Sequence, residues 1–166
     1  MERCFLEHGF GPFYRPDSRI LILGSFPSAG SRKAQFFYGH PQNRFWKVLA
    51  AVFEDCEPLT REEKEAFLER NRIALYDVIE RCSIIGSADS TIRDVVPADI
   101  ASILRVTRVG ERVFVNGKTA ERFFERYQAP ALGFHAGYLP STSPANAAFS
   151  VVKLTAIWSG RILPAL

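Results

Sequence analysis

The chain has 166 residues, 47% of them hydrophobic, which suits one folded domain around a single core. No apolar run approaches the ~18 residues of a membrane span, and the opening Met1-Glu2-Arg3-Cys4-Phe5-Leu6-Glu7-His8 is charged where a signal peptide is hydrophobic, so a cytoplasmic protein is expected. The net charge of +3 is too small to prove a nucleic-acid partner, while Cys4, Cys56 and Cys82 are too scattered for a disulfide framework or zinc site and are expected as reduced thiols, buried or partly buried.

Arg19 to Leu23 form an almost unbroken apolar run, a short buried strand ended by Gly24 and Pro27. From Arg44 the pattern turns helical: Phe45, Val48, Leu49, Val52 and Phe53 share a face, and Asn43 stands at the N-cap position. Thr60 and Glu63 make a capping box that starts a second helix running to about Asn71. Ile73 to Ile79 read as a second strand, Gly86 to Arg93 as a loop, and Pro97 as the start of a further helix. Arg112 to Asn116 form a third strand stopped by Gly117, Lys118 to Tyr127 an amphipathic helix, and Gly133 to Pro140 a fourth strand. Pro144 opens a last helix that continues to Trp158.

Strands alternating with helices predict an α/β fold with a parallel sheet covered on both faces, and ligands then bind at the carboxyl ends of the strands. That rim gathers Gly24 to Asn43, Tyr76 and Asp77, Asn116 to Lys118, and Leu139 to Asn146. No acid lies between Asp17 and Glu54 or after Glu125, so the two segments together form a face that tolerates phosphate, provided they meet in space. Leu139-Pro-Ser-Thr-Ser-Pro-Ala-Asn offers hydroxyls and backbone N–H groups before a helix, an arrangement that either caps the helix or binds phosphate. Phe36, Phe37 and Tyr38 are successive loop aromatics, core residues or a platform for an unpaired base. The Asn43 carboxamide can cap a helix, orient a water or read a base edge. His40 and His135 are read as structural or solvent-facing.

Gly24-Ser-Phe-Pro-Ser, Phe37-Tyr-Gly-His-Pro-Gln-Asn-Arg-Phe-Trp46 and Leu139-Pro-Ser-Thr-Ser-Pro-Ala-Asn146 together resemble the uracil-DNA glycosylase superfamily, most closely its hypoxanthine-DNA (deoxyinosine) glycosylases. The His-Pro-x-Asn-Arg-Phe-Trp-Lys string is also similar to mismatch-specific uracil/thymine glycosylases. The resemblance spans nearly the whole chain and implies a single glycosylase domain. Its expected fold is a three-layer α/β/α sandwich with a short, mostly parallel sheet of about four strands.

By that resemblance Gly24, Ser25, Phe26, Pro27 and Ser28 line the base pocket and Tyr38 stacks on the flipped base. Leu139 to Ala147 press into the duplex, with Pro144 and Ala145 at the tip. Ser28, Ser31, His40, Arg44, Lys118, Ser141, Thr142, Ser143, Pro144, Ala145 and Asn146 are assigned to DNA contact. In many members the first motif supplies an Asp or Asn that positions water; here Phe26 stands in that place and can do no such work. The hypoxanthine family shares that absence and implicates the Asn of the second motif, which makes Asn43 the catalytic candidate. Asp77 either contacts the base, activates water or caps a turn.

The expected activity is hydrolytic removal of a deaminated base by a monomer, without metal or cofactor, on nucleoid DNA. The competing readings are a uracil/thymine mismatch glycosylase, a non-catalytic damaged-DNA-binding module, and a serine hydrolase using Ser25 or Ser28. The last lacks the Gly-x-Ser-x-Gly elbow.

Overall fold

The computed structural model describes residues 1–166. In chain order the elements are β1 (Arg3–Glu7), β2 (Ile20–Gly24), α1 (Ala29–Ala34), α2 (Phe45–Val52), α3 (Arg61–Arg70), β3 (Ile73–Asp77), β4 (Ile79–Ile85) and a 3-10 turn (Asp89–Thr91). They continue with β5 (Arg93–Pro97), α4 (Ile100–Arg105), β6 (Val113–Asn116), α5 (Lys118–Tyr127), α6 (Ala129–Leu132), β7 (Gly137–Leu139), α7 (Val151–Ile162) and a second 3-10 turn (Leu163–Ala165).

Four strands form a parallel sheet in the order β3-β2-β6-β7. Every residue of β2 and β3 is buried, as their unbroken apolar character requires of strands covered on both faces. The chain leaves β2 for β3 on one side and β6 for β7 on the other. Right-handed crossovers in opposite directions place α2 and α3 on one face and α5 and α6 on the other. Helix α7 joins α2, and Trp158 meets Phe45 with ring centroids 5.9 Å apart. The expected three-layer α/β/α architecture is thus the observed one. Its winding reverses between β2 and β6, where α/β sheets open a crevice at the strands' carboxyl ends.

Phe13 exchanges backbone hydrogen bonds with Leu75 and so covers the outer edge of β3. Helix α3 starts as expected: Thr60 Oγ1 accepts the Glu63 amide at 3.1 Å, while Glu63 reaches back to the Leu59 amide at 2.8 Å. Trp158, Phe45, Phe67 and Phe124 are the largest fully buried side chains.

A second, antiparallel sheet, β1-β4-β5, has no counterpart in the sequence-based expectation. Strands β1 and β5 expose most of their residues, so they carry little hydrophobic periodicity, and β4 follows β3 after Val78 alone. Pro97 ends β5 rather than opening a helix; α4 begins at Ile100, capped by Asp99. Residues 144–149 form turns, and α7 begins only at Val151, with Ser150 Oγ accepting the Lys153 amide. Helix α1 lies within the stretch expected to be loop. Cys4 and Cys56 are exposed, contrary to expectation, while Cys82 is buried and its thiol is pushed up to about 11 by desolvation.

Candidate active site

A cavity of about 370 Å³ opens where the winding reverses, small for a ligand site. Gly24 at the end of β2, Asp77 at the end of β3 and Asn116 at the end of β6 supply its floor. Ser25, Phe26, Pro27, Ser28, Tyr38, His40 and Asn43 line one wall, and Ser141 to Ala145 the other. Ser87 and Asp89, from the β4–β5 connection, close the mouth: Ser87 Oγ accepts the Ala29 amide at 3.2 Å, and Ser25 Oγ donates to Asp89 at 3.0 Å. No lysine lines the cavity.

The two acid-free segments meet here. Asn43 Oδ1 accepts the Phe45 amide and the Thr142 hydroxyl, each at 2.9 Å. Thr142 Oγ1 accepts from Asn116 Nδ2 at 3.0 Å, Asn116 Nδ2 also reaches the Tyr38 hydroxyl at 3.3 Å, and Asn116 Oδ1 accepts the Thr142 amide at 3.1 Å. A backbone N–H can only donate, so the Asn43 atom facing Phe45 is oxygen, and both its lone pairs are occupied. The free end of the Asn43 carboxamide is its NH₂, a donor. The formal N-cap position of α2 belongs to Arg44, which makes no side-chain cap bond; it is Asn43, one residue earlier, whose oxygen caps the first helical amide.

Tyr38 sits at φ 52°, left-handed backbone that is rare for a bulky side chain. Its ring stacks on Phe45 with centroids 3.8 Å apart, so only the second face is open. Desolvation first, and the Asp77 charge second, raise the Tyr38 hydroxyl above its ordinary range and keep it neutral, although Asn116 opposes them. Asp89 is held above the usual carboxylate range by desolvation in the crowded mouth and by Asp77, with Ser25 working against both. Asp77 is 6% exposed, and its Oδ2 lies 2.7 Å from His8 Nε2.

Gly24 packs directly beneath that carboxylate: a Cβ there would lie 2.4 Å from Asp77 Oδ1 and 3.2 Å from the Tyr38 hydroxyl. Gly24→Ala is therefore expected to cost about 1–3 kcal/mol through overpacking. The check is a denaturant titration, in which the midpoint falls while the slope is unchanged.

Several residues assigned to DNA contact turn inward instead. The Arg44 guanidinium donates to the carbonyls of Thr142, Ser143, Asn146 and Phe149, bracing the loop from within. Ser31 is buried, its Oγ accepting the Gly39 amide at 3.0 Å, and Ser28 Oγ caps α1 through the Ser31 amide. Thr142 is fully buried, and Asn146 Nδ2 donates to the Ser141 carbonyl. Ser141 and Ser143 accept the amides of Ser143 and Ala145, so these two N–H groups are spent within the loop and the hydroxyl protons of both serines remain free. Pro144, Ala145, His40 and Lys118 are exposed.

The family model of the uracil DNA glycosylase superfamily matches residues 12–158. The chain belongs to the uracil DNA glycosylase superfamily. It is similar to the hypoxanthine DNA glycosylase of Methanosarcina acetivorans, 34% identical over 87% of this chain and 91% of that one. The hypoxanthine DNA glycosylase of Methanosarcina barkeri is 30% identical, over 84% of this chain and 88% of that one. A solution NMR structure of a candidate uracil DNA glycosylase from Methanosarcina acetivorans superposes with a TM-score of 0.77 at 30% identity. That match covers 95% of this chain and 98% of the other.

Within this superfamily fold, Phe26 is buried against the cavity, with the Arg32 guanidinium 5.6 Å from its ring centroid. An apolar wall thus stands at this point of the cavity. Sequence reasoning missed Asn116 as a member of the hydrogen-bonded chain, Ser87 and Asp89 at the mouth, and His8 beneath Asp77. For His8 the one local signal is its setting between Phe5, Leu6 and Phe10, an apolar stretch in which a histidine needs a partner.

Proposed function

We propose that the protein is a monofunctional DNA glycosylase of base-excision repair. It takes a deaminated base, hypoxanthine in preference to uracil, out of the duplex and hydrolyses its N-glycosidic bond. The observation that carries this reading is the fixed Asn43 carboxamide, its oxygen doubly occupied and its NH₂ free at the cavity, beside a tyrosine ring with one open face. The two Methanosarcina relatives, named hypoxanthine DNA glycosylases, support the choice of base.

Cleavage of the bond leaves an oxocarbenium-like sugar and a purine that gathers negative charge. Water attacks the anomeric carbon, its oxygen forms the new C–O bond as the C–N bond breaks, and the proton that the bound water sheds balances the one taken up by the departing base. Asn43 donates one N–H to that water and leaves its second lone pair for the sugar; such a cationic electrophile does not require prior deprotonation of the water. Tyr38 offers its open face to the extruded base, and unpairing costs least at an inosine or uracil mispair. The absence of lysine from the cavity lining supports hydrolysis without a Schiff-base step.

Along the rim of the cavity, Lys118 and the Ser141 and Ser143 hydroxyls meet phosphates, and Pro144 and Ala145 enter the duplex. The protein acts as a monomer without a cofactor, on DNA in the cytoplasm. No helix is long and apolar enough to cross a membrane.

Single-turnover incubation with duplexes carrying inosine, uracil or a thymine mismatch, followed by alkali, tests this reading. Strand breaks at inosine before uracil are expected. Binding without abasic sites overturns it and leaves a damaged-DNA-binding module on the same fold.

A further inference from the structure

The rim opposite the cavity carries a second concentration of positive charge. Arg19 precedes β2, Arg72 precedes β3 and Arg112 precedes β6, so three arginines stand at the amino ends of neighbouring strands. Arg108, between α4 and β6, joins them. The backbone ties the group together: the Arg19 amide donates to the Arg72 carbonyl at 2.8 Å, the Leu21 amide to the Arg112 carbonyl at 3.1 Å, and the Arg108 amide to the Ser18 carbonyl at 3.0 Å. The five residues of β2, at ~3.3 Å each, set Arg19 roughly 17 Å from Gly24 at the cavity. The two rims are the opposite ends of the same strands.

Most of this charge is not spent within the protein. The Arg112 guanidinium donates to the Arg19 carbonyl at 2.8 Å and to the Arg108 carbonyl, neutral acceptors that fix its place and leave its charge. Arg19 and Arg108 have no carboxylate within ion-pair distance, and Arg72 has only Asp17, at 3.7 Å, with both side chains more than half exposed. Arg15 and Arg70 are matched by Glu69 and Asp55. Glu111, exposed, is the remaining carboxylate in the segments that build this rim, and it pairs with no cation. Helices α3 and α4 end here, and cations complement a helix's carbonyl end. Arg70 and Arg105 lie in those last turns. Arg19, Arg108 and Arg112 lie outside them, so the helix dipoles do not account for these three.

We propose that this rim binds the sugar-phosphate backbone of a second duplex while the cavity face holds the first. The proposal rests on the glycosylase reading, which puts one duplex at the cavity, and extends it to a further surface. Guanidinia without carboxylate partners suit phosphates spaced along a duplex, and such contacts carry no sequence information. A protein that grips two segments at once passes from one to the other without being set free, which speeds the search for a rare damaged base.

The test loads the full chain with a fluorophore-labelled duplex bearing a tetrahydrofuran abasic-site analogue, then adds an undamaged duplex carrying the matching energy-transfer acceptor at low salt. Energy transfer between the duplexes is expected, and sedimentation gives one protein with two duplexes. Phosphate contacts by Arg19, Arg108 and Arg112 predict that log affinity for the second duplex falls against log salt with a slope of about −2.7. In the double variant Arg19→Gln, Arg108→Gln the slope shrinks to about −0.9 and the second duplex binds about tenfold or more weakly, while single-turnover excision at inosine is unchanged. Arg112 is kept because its guanidinium holds the backbone. Absence of energy transfer once the first duplex is loaded overturns the proposal and leaves the glycosylase reading standing. A complex of two proteins with two duplexes makes the bridge a dimer and also overturns it, as does a double variant that binds the second duplex like the wild type. If poly-glutamate binds through Arg19 and Arg108 where the second duplex does not, the rim belongs to an acidic protein and the proposal falls. A protein that loads neither duplex defeats the glycosylase reading and the proposal with it.

Discussion

Asn43→Ala lowers single-turnover excision of inosine by about 10²–10³-fold, the scale of loss seen when one preorganised donor is removed from a reacting centre. Duplex affinity is expected to stay within about threefold, because the residue's oxygen faces the protein and only its NH₂ faces the cavity. The substitution also leaves the Phe45 amide and the Thr142 hydroxyl without their acceptor, at about 1–2 kcal/mol. A melting curve therefore accompanies the kinetics. Thr142→Val probes the same carboxamide indirectly: it deletes the hydroxyl between Asn116 and Asn43, removes one of the two hydrogen bonds that hold the Asn43 oxygen, and produces a smaller loss of rate. Unchanged excision by Asn43→Ala removes Asn43 from the chemistry.

Trp158→Ala carries the largest expected loss of stability, about 3–5 kcal/mol, a large part of what a domain of this size has to lose. The side chain is fully buried, meets Phe45 across the α2–α7 interface, and donates from Nε1 to the Pro140 carbonyl at 2.9 Å. Truncation opens a cavity under α2 and at once releases the residue that leads into the 141–149 loop. Trp158→Phe keeps most of the packing and loses the hydrogen bond, so it is expected to cost about 1–3 kcal/mol. Chemical denaturation measures both. A Trp158→Ala midpoint indistinguishable from wild type contradicts this account of the core.

The parallel sheet was legible because Ile20 to Leu23, Ile73 to Tyr76 and Val113 to Val115 are apolar without interruption, the mark of strands buried on both faces. The antiparallel sheet was not, since Arg3 to Glu7 and Arg93 to Pro97 bury too little to leave a period in the sequence. At the site, motif resemblance brought Asn43, Tyr38 and the 141–146 loop to one place. Arg44, Ser31 and Thr142 were assigned to DNA contact because they lie within or beside the motifs that carry the resemblance. The fold turns them inward: Ser31 takes the Gly39 amide, Arg44 donates to backbone as far off as Phe149, and the Thr142 hydroxyl donates to the Asn43 side chain across 99 positions. His8 escaped for the same reason. Its significance exists only through Asp77, 69 residues away, and no local pattern encodes that meeting.

The Arg44 brace has a consequence for how the protein meets DNA. With four carbonyls held by one guanidinium, and the amides of Thr142, Ser143, Ala145 and Asn146 accepted by Asn116, Ser141 and Ser143, the loop is already in a finished shape. Docking therefore carries no ordering penalty for this segment and adds no heat-capacity signature of coupled folding. On the proposed function, its exposed tip, Pro144 and Ala145, would act as a preset and rather short wedge. Such a wedge holds open a base pair that has already loosened better than it forces apart an intact one, so damage would be sorted by the instability of the mispair before the base enters the cavity.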